Sequence, residues 1–291
     1  MFKGVFPAII TPFLKDESLD EEGLKKNIRY LSNTGISGIV PCGTTGESAT
    51  LTFEEHKRVV EIAVEASKVP VIAGTGSNNT REAMELTRHA AEAGADAALL
   101  ITPYYNKPTD KGMFEHFKAI AEKCDIPIVL YNVPKRTGID LKPELVAKLS
   151  KVKNIVAIKE ASGNLSQQSQ IIEQTRGSDF VVLSGDDDLT LPTMALGARG
   201  VVSVVANVAP KKTVAMVNAA LKGDFETARE LHYELLPLVR AMFLETNPIP
   251  VKTAHKYLGL ANGPLRLPMS SMAPEKEAVL KEMLDRLGER A

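Results

Sequence analysis

The sequence predicts an α/β fold, a (β/α)8 TIM barrel over residues 1–224 with an appended C-terminal helical region over residues 225–291. Three observations carry that expectation. Short apolar runs alternate with amphipathic helical patterns eight times, the signature of parallel β/α units. The eight units fill roughly 220 residues, close to the usual size of such a barrel. Polar and glycine-rich positions also gather at the carboxyl ends of the apolar runs, the end at which these barrels carry their reactive groups.

Taken in order, strands are expected over 5–10, 38–42, 70–73, 97–101, 126–131, 155–159, 180–184 and 201–205, each short and apolar. Helices are expected over 20–33, 53–67, 81–93, 111–123, 143–149, 165–174, 189–196 and 210–221, where apolar residues recur every three or four positions. Thr52 and Thr80 precede acidic first turns, and Gly35 and Gly94 follow last turns, as start and stop signals should. Beyond Gly223 the alternation stops, and 225–243, 251–258 and 274–287 read as three further helices. Asn247-Pro248-Ile249-Pro250 separates the first two, because each proline disfavours helix in the residue before it.

Composition narrows the function. With 291 residues, 44% of them hydrophobic, the chain can bury a large core. A net charge of -1 leaves no electrostatic footprint for nucleic acid or an anionic membrane, so the expected partner is a small molecule. Cys42 and Cys124 fit neither a disulfide framework nor a zinc spacing, which suits a reducing, cytoplasmic compartment. The first residues lack a basic stretch followed by a long apolar core, and no apolar run approaches about 18 residues, so neither export nor a membrane span is expected.

The chemistry centres on Ile155-Val156-Ala157-Ile158-Lys159-Glu160-Ala161-Ser162-Gly163, a buried strand that ends in an amine. Alternation puts Ile155, Ala157 and Lys159 on one face and Glu160 on the other. A lysine in an apolar pocket loses hydration, which favours the neutral amine and makes it a nucleophile towards carbonyl carbon. Schiff-base chemistry follows, the alternative being a lysine whose amine extends to solvent. Tyr131 ends the preceding strand, and neighbouring strands lie about 4.8 Å apart, so phenol and amine can share a pocket. There the phenol can shuttle protons, or simply cap the barrel.

Other motifs each carry two readings. Gly43-Thr44-Thr45-Gly46 offers hydroxyls and amides suited to a carboxylate, or is a plain strand-to-helix turn; it is neither a Walker loop nor a nucleophile elbow. Gly74-Thr75-Gly76 reads as structural. Arg136, in a loop stiffened by Pro134 and ended by Gly138, can fork onto a carboxylate or stand solvated. Asp186, Asp187 and Asp188 precede a helix and are expected to cap its amides rather than bind a cation, so no metal is expected. The histidines His56, His89, His116, His232 and His255 show no His-Glu-x-x-His pattern and read as surface or packing residues.

Several blocks together closely resemble the dihydrodipicolinate synthase family of pyruvate-dependent class I aldolases. They are Gly43-Thr44-Thr45-Gly46-Glu47-Ser48, Thr102-Pro103-Tyr104-Tyr105-Asn106-Lys107-Pro108, Tyr131-Asn132-Val133-Pro134-Lys135-Arg136-Thr137-Gly138 and Ile158-Lys159-Glu160. The likeness continues through Ser184-Gly185-Asp186-Asp187, Gly200-Val201-Val202-Ser203 and Glu245-Thr246-Asn247-Pro248-Ile249-Pro250-Val251-Lys252, and so spans nearly the whole chain.

The resemblance implies condensation of pyruvate with L-aspartate 4-semialdehyde to 4-hydroxy-tetrahydrodipicolinate, in lysine and diaminopimelate biosynthesis, without a cofactor. Lys159 would form the Schiff base and Tyr131 would donate and accept protons. Thr44 and Tyr105 would complete a relay, Tyr105 crossing from a neighbouring subunit. Thr45 and Val202 would hold pyruvate, Gly185 would stand at the substrate, and Arg136 would receive the semialdehyde carboxylate. Arg136 also separates this reading from N-acetylneuraminate lyase and the keto-deoxy sugar-acid aldolases, which share the lysine and tyrosine. A barrel that binds pyruvate without turnover is the non-enzymatic alternative. The resemblance further implies a homotetramer, a dimer of dimers, and feedback inhibition by L-lysine at Ser48, Ala49, His56, Asn78, Glu82 and Tyr104. Phe53 departs from the histidine usual in lysine-sensitive bacterial members, so weaker lysine binding is expected.

Overall fold

The computed structural model describes residues 2–288; Met1 and the last three residues of the expected 225–291 region lie outside them. Seven parallel strands form one curled sheet: β1 (Gly4–Pro7), β2 (Ile72–Gly74), β3 (Ala97–Ile101), β4 (Ile128–Asn132), β5 (Ile155–Glu160), β6 (Val181–Ser184) and β7 (Gly200–Ser203). Their order is β1-β7-β6-β5-β4-β3-β2, which leaves β1 and β2 at the two ends.

The strand expected at 38–42 closes the ring with only two residues. Val40 N donates to Pro7 O at 2.8 Å and Ile9 N to Val40 O at 3.0 Å, while on the other side Ile39 N donates to Pro70 O and Ile72 N to Ile39 O, both at 2.9 Å. Pro41 then supplies no N–H, and Cys42 turns away at φ 54°, so a longer ladder cannot form. Eight β segments thus surround the axis, as the alternation predicts.

Alternating side chains divide the apolar residues into two layers. Phe6, Val40, Leu99, Val129, Tyr131, Ala157, Leu183 and Val202 fill the inside of the ring. Ile10, Ile39, Leu100, Ile128, Leu130, Ile155 and Ile158 face the helices. Ile155 therefore does not share the face of Ala157 and Lys159, contrary to the simple alternation. The cause is a shift in register: Ile128 pairs with Ile155, but Val129 pairs with Ala157. The extra residue, Val156, packs against the inner layer, so Val156 and Ala157 both point inward.

The helices are α1 (Glu21–Ser32), α2 (Phe53–Ala66), α3 (Thr80–Glu92), α4 (Asp110–Lys123), α5 (Pro134–Thr137), α6 (Pro143–Leu149), α7 (Leu165–Gln174), α8 (Thr190–Leu196), α9 (Pro210–Leu221), α10 (Phe225–Ala241), α11 (Ile249–Tyr257) and α12 (Pro274–Leu287). Thr52 and Glu55 form a reciprocal capping box on α2. At α3 the cap is Asn79 rather than Thr80, whose backbone is already helical. The four-residue α5 was too short to show a period; Pro134 opens it and Gly138 closes it at φ 70°.

Residues 186–188 depart from the expected role. The residue capping α8 is Leu189, which makes no side-chain cap. The strand expected to reach 205 ends at Ser203, and a 3-10 turn, Val205–Asn207, follows. Asp187 serves that turn instead: its carboxylate accepts from Ser203 Oγ at 2.5 Å, Val204 N at 2.9 Å and Val205 N at 3.0 Å.

Helix α10 packs on α9 and α12, and α11 on α12. Leu235, Leu238, Val251, Leu280 and Leu284 join the same apolar layer as the barrel helices. Among the described residues no helix is long and apolar enough to cross a membrane.

Candidate active site

Lys159 and Tyr131 are direct partners in the pairing of β4 with β5. Both point into the ring, and Lys159 Nζ lies 4.1 Å from the centroid of the tyrosine ring. Lys159 is only 7% exposed, yet no carboxylate among the described residues forms an ion pair with it. The amine thus meets an aromatic face rather than a counter-ion.

Gly185 makes room for the lysine stem. A Cβ at that position would stand 2.6 Å from Ala161 Cβ and 3.1 Å from Lys159 Cε, so a side chain there would push against the amine-bearing carbons. Val202 lies on the same inner surface, and its successors are fixed by the Asp187 bonds described above. Burial raises the Asp187 carboxyl above the usual carboxylate range, opposed by the Ser203 and amide hydrogen bonds and by the charge of Lys159.

The Gly43–Ser48 turn is held from two directions. Within the turn, Gly46 N donates to Gly43 O and Glu47 N to Thr44 O; Thr11 Oγ1 donates to Gly46 O at 2.7 Å. From the C-terminal region, Asn247 Nδ2 donates to Thr45 Oγ1 at 3.0 Å, which leaves the threonine proton free to point at a ligand. Arg136 Nη2 donates to Asn247 O at 3.1 Å, so Asn247 touches both Thr45 and Arg136. Glu47 sits at φ 52° and pairs with Lys252 at 2.5 Å, each side chain 2% exposed. Its second oxygen accepts from Arg266 N at 3.2 Å. Lys252 Nζ also donates to Pro264 O at 2.8 Å and lies 4.3 Å from the Phe13 ring centroid.

A cavity of about 420 Å³ opens beside this turn, with Thr44, Arg136, Asn247, Phe53 and Cys42 among its lining residues. Ser48, Ala49, His56, Glu82 and Tyr104 line it as well. Asn78 stands behind Tyr104, donating from Nδ2 to its carbonyl at 3.2 Å. Lys159, Tyr131 and Thr45 are not part of that lining.

Tyr105 does not join the site within one chain. It is 90% exposed on the loop after β3, at φ 68°, and has no hydrogen bond or ring contact among the described residues. Nor does a hydrogen bond link Thr44 to Tyr131. Three of the histidines are packing residues: burial depresses His56, His116 and His255 to about 4 and keeps them neutral. No group of three or more metal-ligating side chains occurs among the described residues.

Local sequence patterns did not reveal Asn247 and Lys252 as anchors of the turn. Their partners Thr45 and Glu47 lie 202 and 205 positions away. The only signal was a charged residue within an apolar helical pattern, since Lys252 sits between Val251 and Ala254, both buried.

A family model described as the dihydrodipicolinate synthetase family matches residues 1–287. A relative named 4-hydroxy-tetrahydrodipicolinate synthase, from Methanothrix thermoacetophila, is 70% identical over 289 residues, covering 99% of this chain and 98% of its own. Dihydrodipicolinate synthase of Acinetobacter baumannii, solved as a chloride-inhibited form complexed with pyruvate, superposes with a TM-score of 0.96 at 42% identity over 99% of both chains. DHDPS of Cyanidioschyzon merolae with lysine bound superposes with a TM-score of 0.95 at 41% identity, over 99% of this chain and 98% of that one.

Proposed function

Because the chain belongs to the dihydrodipicolinate synthetase family, we propose that Lys159 carries its reaction, the condensation of pyruvate with L-aspartate 4-semialdehyde. The observation that carries the assignment is the buried amine 4.1 Å from the Tyr131 ring with no carboxylate paired to it. The Lys159 amine attacks the keto carbon of pyruvate, and Tyr131 supplies the proton with which water leaves the carbinolamine. Loss of a methyl proton gives the enamine, whose carbon–carbon π pair forms the new bond to the aldehyde carbon and regenerates the imine, while the aldehyde π pair passes to its oxygen, which takes up a proton. The amino group of the former semialdehyde then adds to the imine carbon, closing the ring and expelling Lys159.

Thr45 and Val202 receive the pyruvate carboxylate, and Gly185 leaves space for the substrate beside the lysine stem. Arg136 receives the carboxylate of the second substrate. Arg136→Met should therefore raise KM for aspartate semialdehyde roughly 10- to 100-fold and leave KM for pyruvate within about twofold. Steady-state kinetics with each substrate varied in turn checks this; an equal rise in both constants would remove Arg136 from that role. In this scheme the barrel holds the reactive groups, and Asn247, Lys252 and Arg266 of the C-terminal helical region brace the Gly43–Ser48 turn.

Tyr105 completes the relay with Thr44 and Tyr131 across a subunit boundary, in a cytoplasmic homotetramer built as a dimer of dimers. Its exposure, with no hydrogen bond or ring contact to the described residues, supports donation to a second copy. L-Lysine is the feedback inhibitor, bound at Ser48, Ala49, His56, Asn78, Glu82 and Tyr104. Five of these six line one cavity, which supports a common ligand. Phe53, also in the lining, replaces a polar contact with an apolar one and weakens the site.

A further inference from the structure

Directly behind Tyr131 and Lys159, on the outer face of the same two strands, lie Asn132 and Glu160, both fully buried. They are the next pair in the β4–β5 register, and Asn132 Nδ2 donates to Glu160 Oε1 at 2.9 Å. Glu160 is otherwise satisfied by Ser162, whose N–H donates to Oε1 at 3.0 Å and whose hydroxyl donates to Oε2 at 2.8 Å. Asn132 is fixed by Asp140, which accepts from Nδ2 at 2.8 Å, and by Leu141 N, which donates to Oδ1 at 3.0 Å. Neither residue has a part in the chemistry above.

The register they occupy is not the one in which the strands begin. Continued from the Ile128–Ile155 pair, Tyr131 would face Ile158; the shift after Ile128 brings it opposite Lys159 instead. A one-residue slip in a strand exchanges its two faces, so the unshifted pairing would send the lysine outward. The inner and outer apolar residues of β5 are all Ile, Val and Ala, which discriminate weakly between the two pairings. A buried carboxylate facing an amide across the strand pair discriminates strongly, because the slip would separate Glu160 from Asn132, the one of these bonds that joins the two strands, and set Lys159 against the buried amide instead.

We infer that the Asn132–Glu160 hydrogen bond is the register lock of the site, making both residues positioning residues that direct Tyr131 and Lys159 at the same keto carbon. The inference rests on Lys159 being the Schiff-base nucleophile. Being anchored on the outer face at one position fixes the strand rotation, and hence the inward direction, of its neighbour.

The test measures kcat, KM for pyruvate and the rate of borohydride trapping with pyruvate in the full-length protein. Glu160→Ala and Asn132→Ala should each lower kcat and trapping about 10- to 100-fold, the scale set by displacing a reacting group by about 1 Å. KM for pyruvate should stay within about threefold, since Thr45 and Val202 do not depend on the lock. Glu160→Gln keeps an acceptor for Asn132 and should retain activity within about threefold of wild type. The double alanine variant should lose less than the product of the two single effects, because both singles already remove the shared Asn132–Glu160 bond. Ser162→Ala, which removes the hydroxyl's bonds to Glu160 Oε2 and from Asn164 N and so loosens the carboxylate, should lower trapping a few-fold. Should the alanine variants fail to fold, Glu160→Gln and Ser162→Ala still decide. Trapping at the wild-type rate in Ser162→Ala or in a folded Glu160→Ala would overturn the lock, as would a Glu160→Gln as impaired as alanine. If Lys159→Ala still condensed both substrates, the underlying assignment would fall, independently of these results.

Discussion

Lys159→Ala is expected to lose condensation activity by on the order of 10⁴-fold or more, the scale on which covalent nucleophiles fail when deleted. The physical reason is that nothing else stands where the amine stands. Among lysines with a buried amine, Lys252 is consumed by Glu47 and Pro264, whereas Lys159 meets only the Tyr131 ring. Losing it removes no ion pair, so the melting temperature should change little. Preserved melting together with lost turnover separates a missing nucleophile from a damaged fold. Initial rates with both substrates, beside a thermal melt, provide the check; turnover within about tenfold of wild type would reject the covalent route.

The second large effect is on stability. Lys252→Met is expected to cost about 3–5 kcal/mol, because it leaves the Glu47 carboxylate buried without its cation. For a chain of this size that is a fall in melting temperature on the order of 10 °C. Burial disfavours the charged form of Lys252 and Glu47 opposes it, so the pair is stable only as a pair. Replacing both, as Lys252→Met with Glu47→Leu, should restore much of the loss, since removing both charges leaves no unpaired one. Because Glu47 closes the turn that carries Thr44 and Thr45, the single variant should also raise KM for pyruvate. Differential scanning calorimetry of the two variants tests this, and a single variant that melts like wild type would show the pair to be dispensable.

Much of the fold was legible because its information is local. Eight alternations of apolar run and helical period announce the barrel, and Thr52 before an acidic first turn announces the start of α2. The failures share a physical cause in non-local contact. Val156 is an extra residue only relative to β4, so the flip of Ile155 cannot be seen in β5 alone. Asp187 looked like a helix cap because it precedes α8; its real partners, Ser203, Val204 and Val205, belong to the next strand and turn. The site divides the same way. Lys159 and Tyr131 were readable as ends of adjacent strands, whereas the hold of Asn247 on Thr45 and of Lys252 on Glu47 spans some two hundred residues. Tyr105 is not positioned by its own chain, since it is 90% exposed and makes no hydrogen bond or ring contact among the described residues.

The measurement that bears most directly on the role of Lys159 is mass spectrometry of peptides from protein reduced with borohydride in the presence of pyruvate. One carboxyethyl group should be found per chain, on the peptide containing Lys159, with Lys252 and the surface lysines unmodified. Modification of a different lysine, or none at all in protein that still condenses the two substrates, would contradict the account.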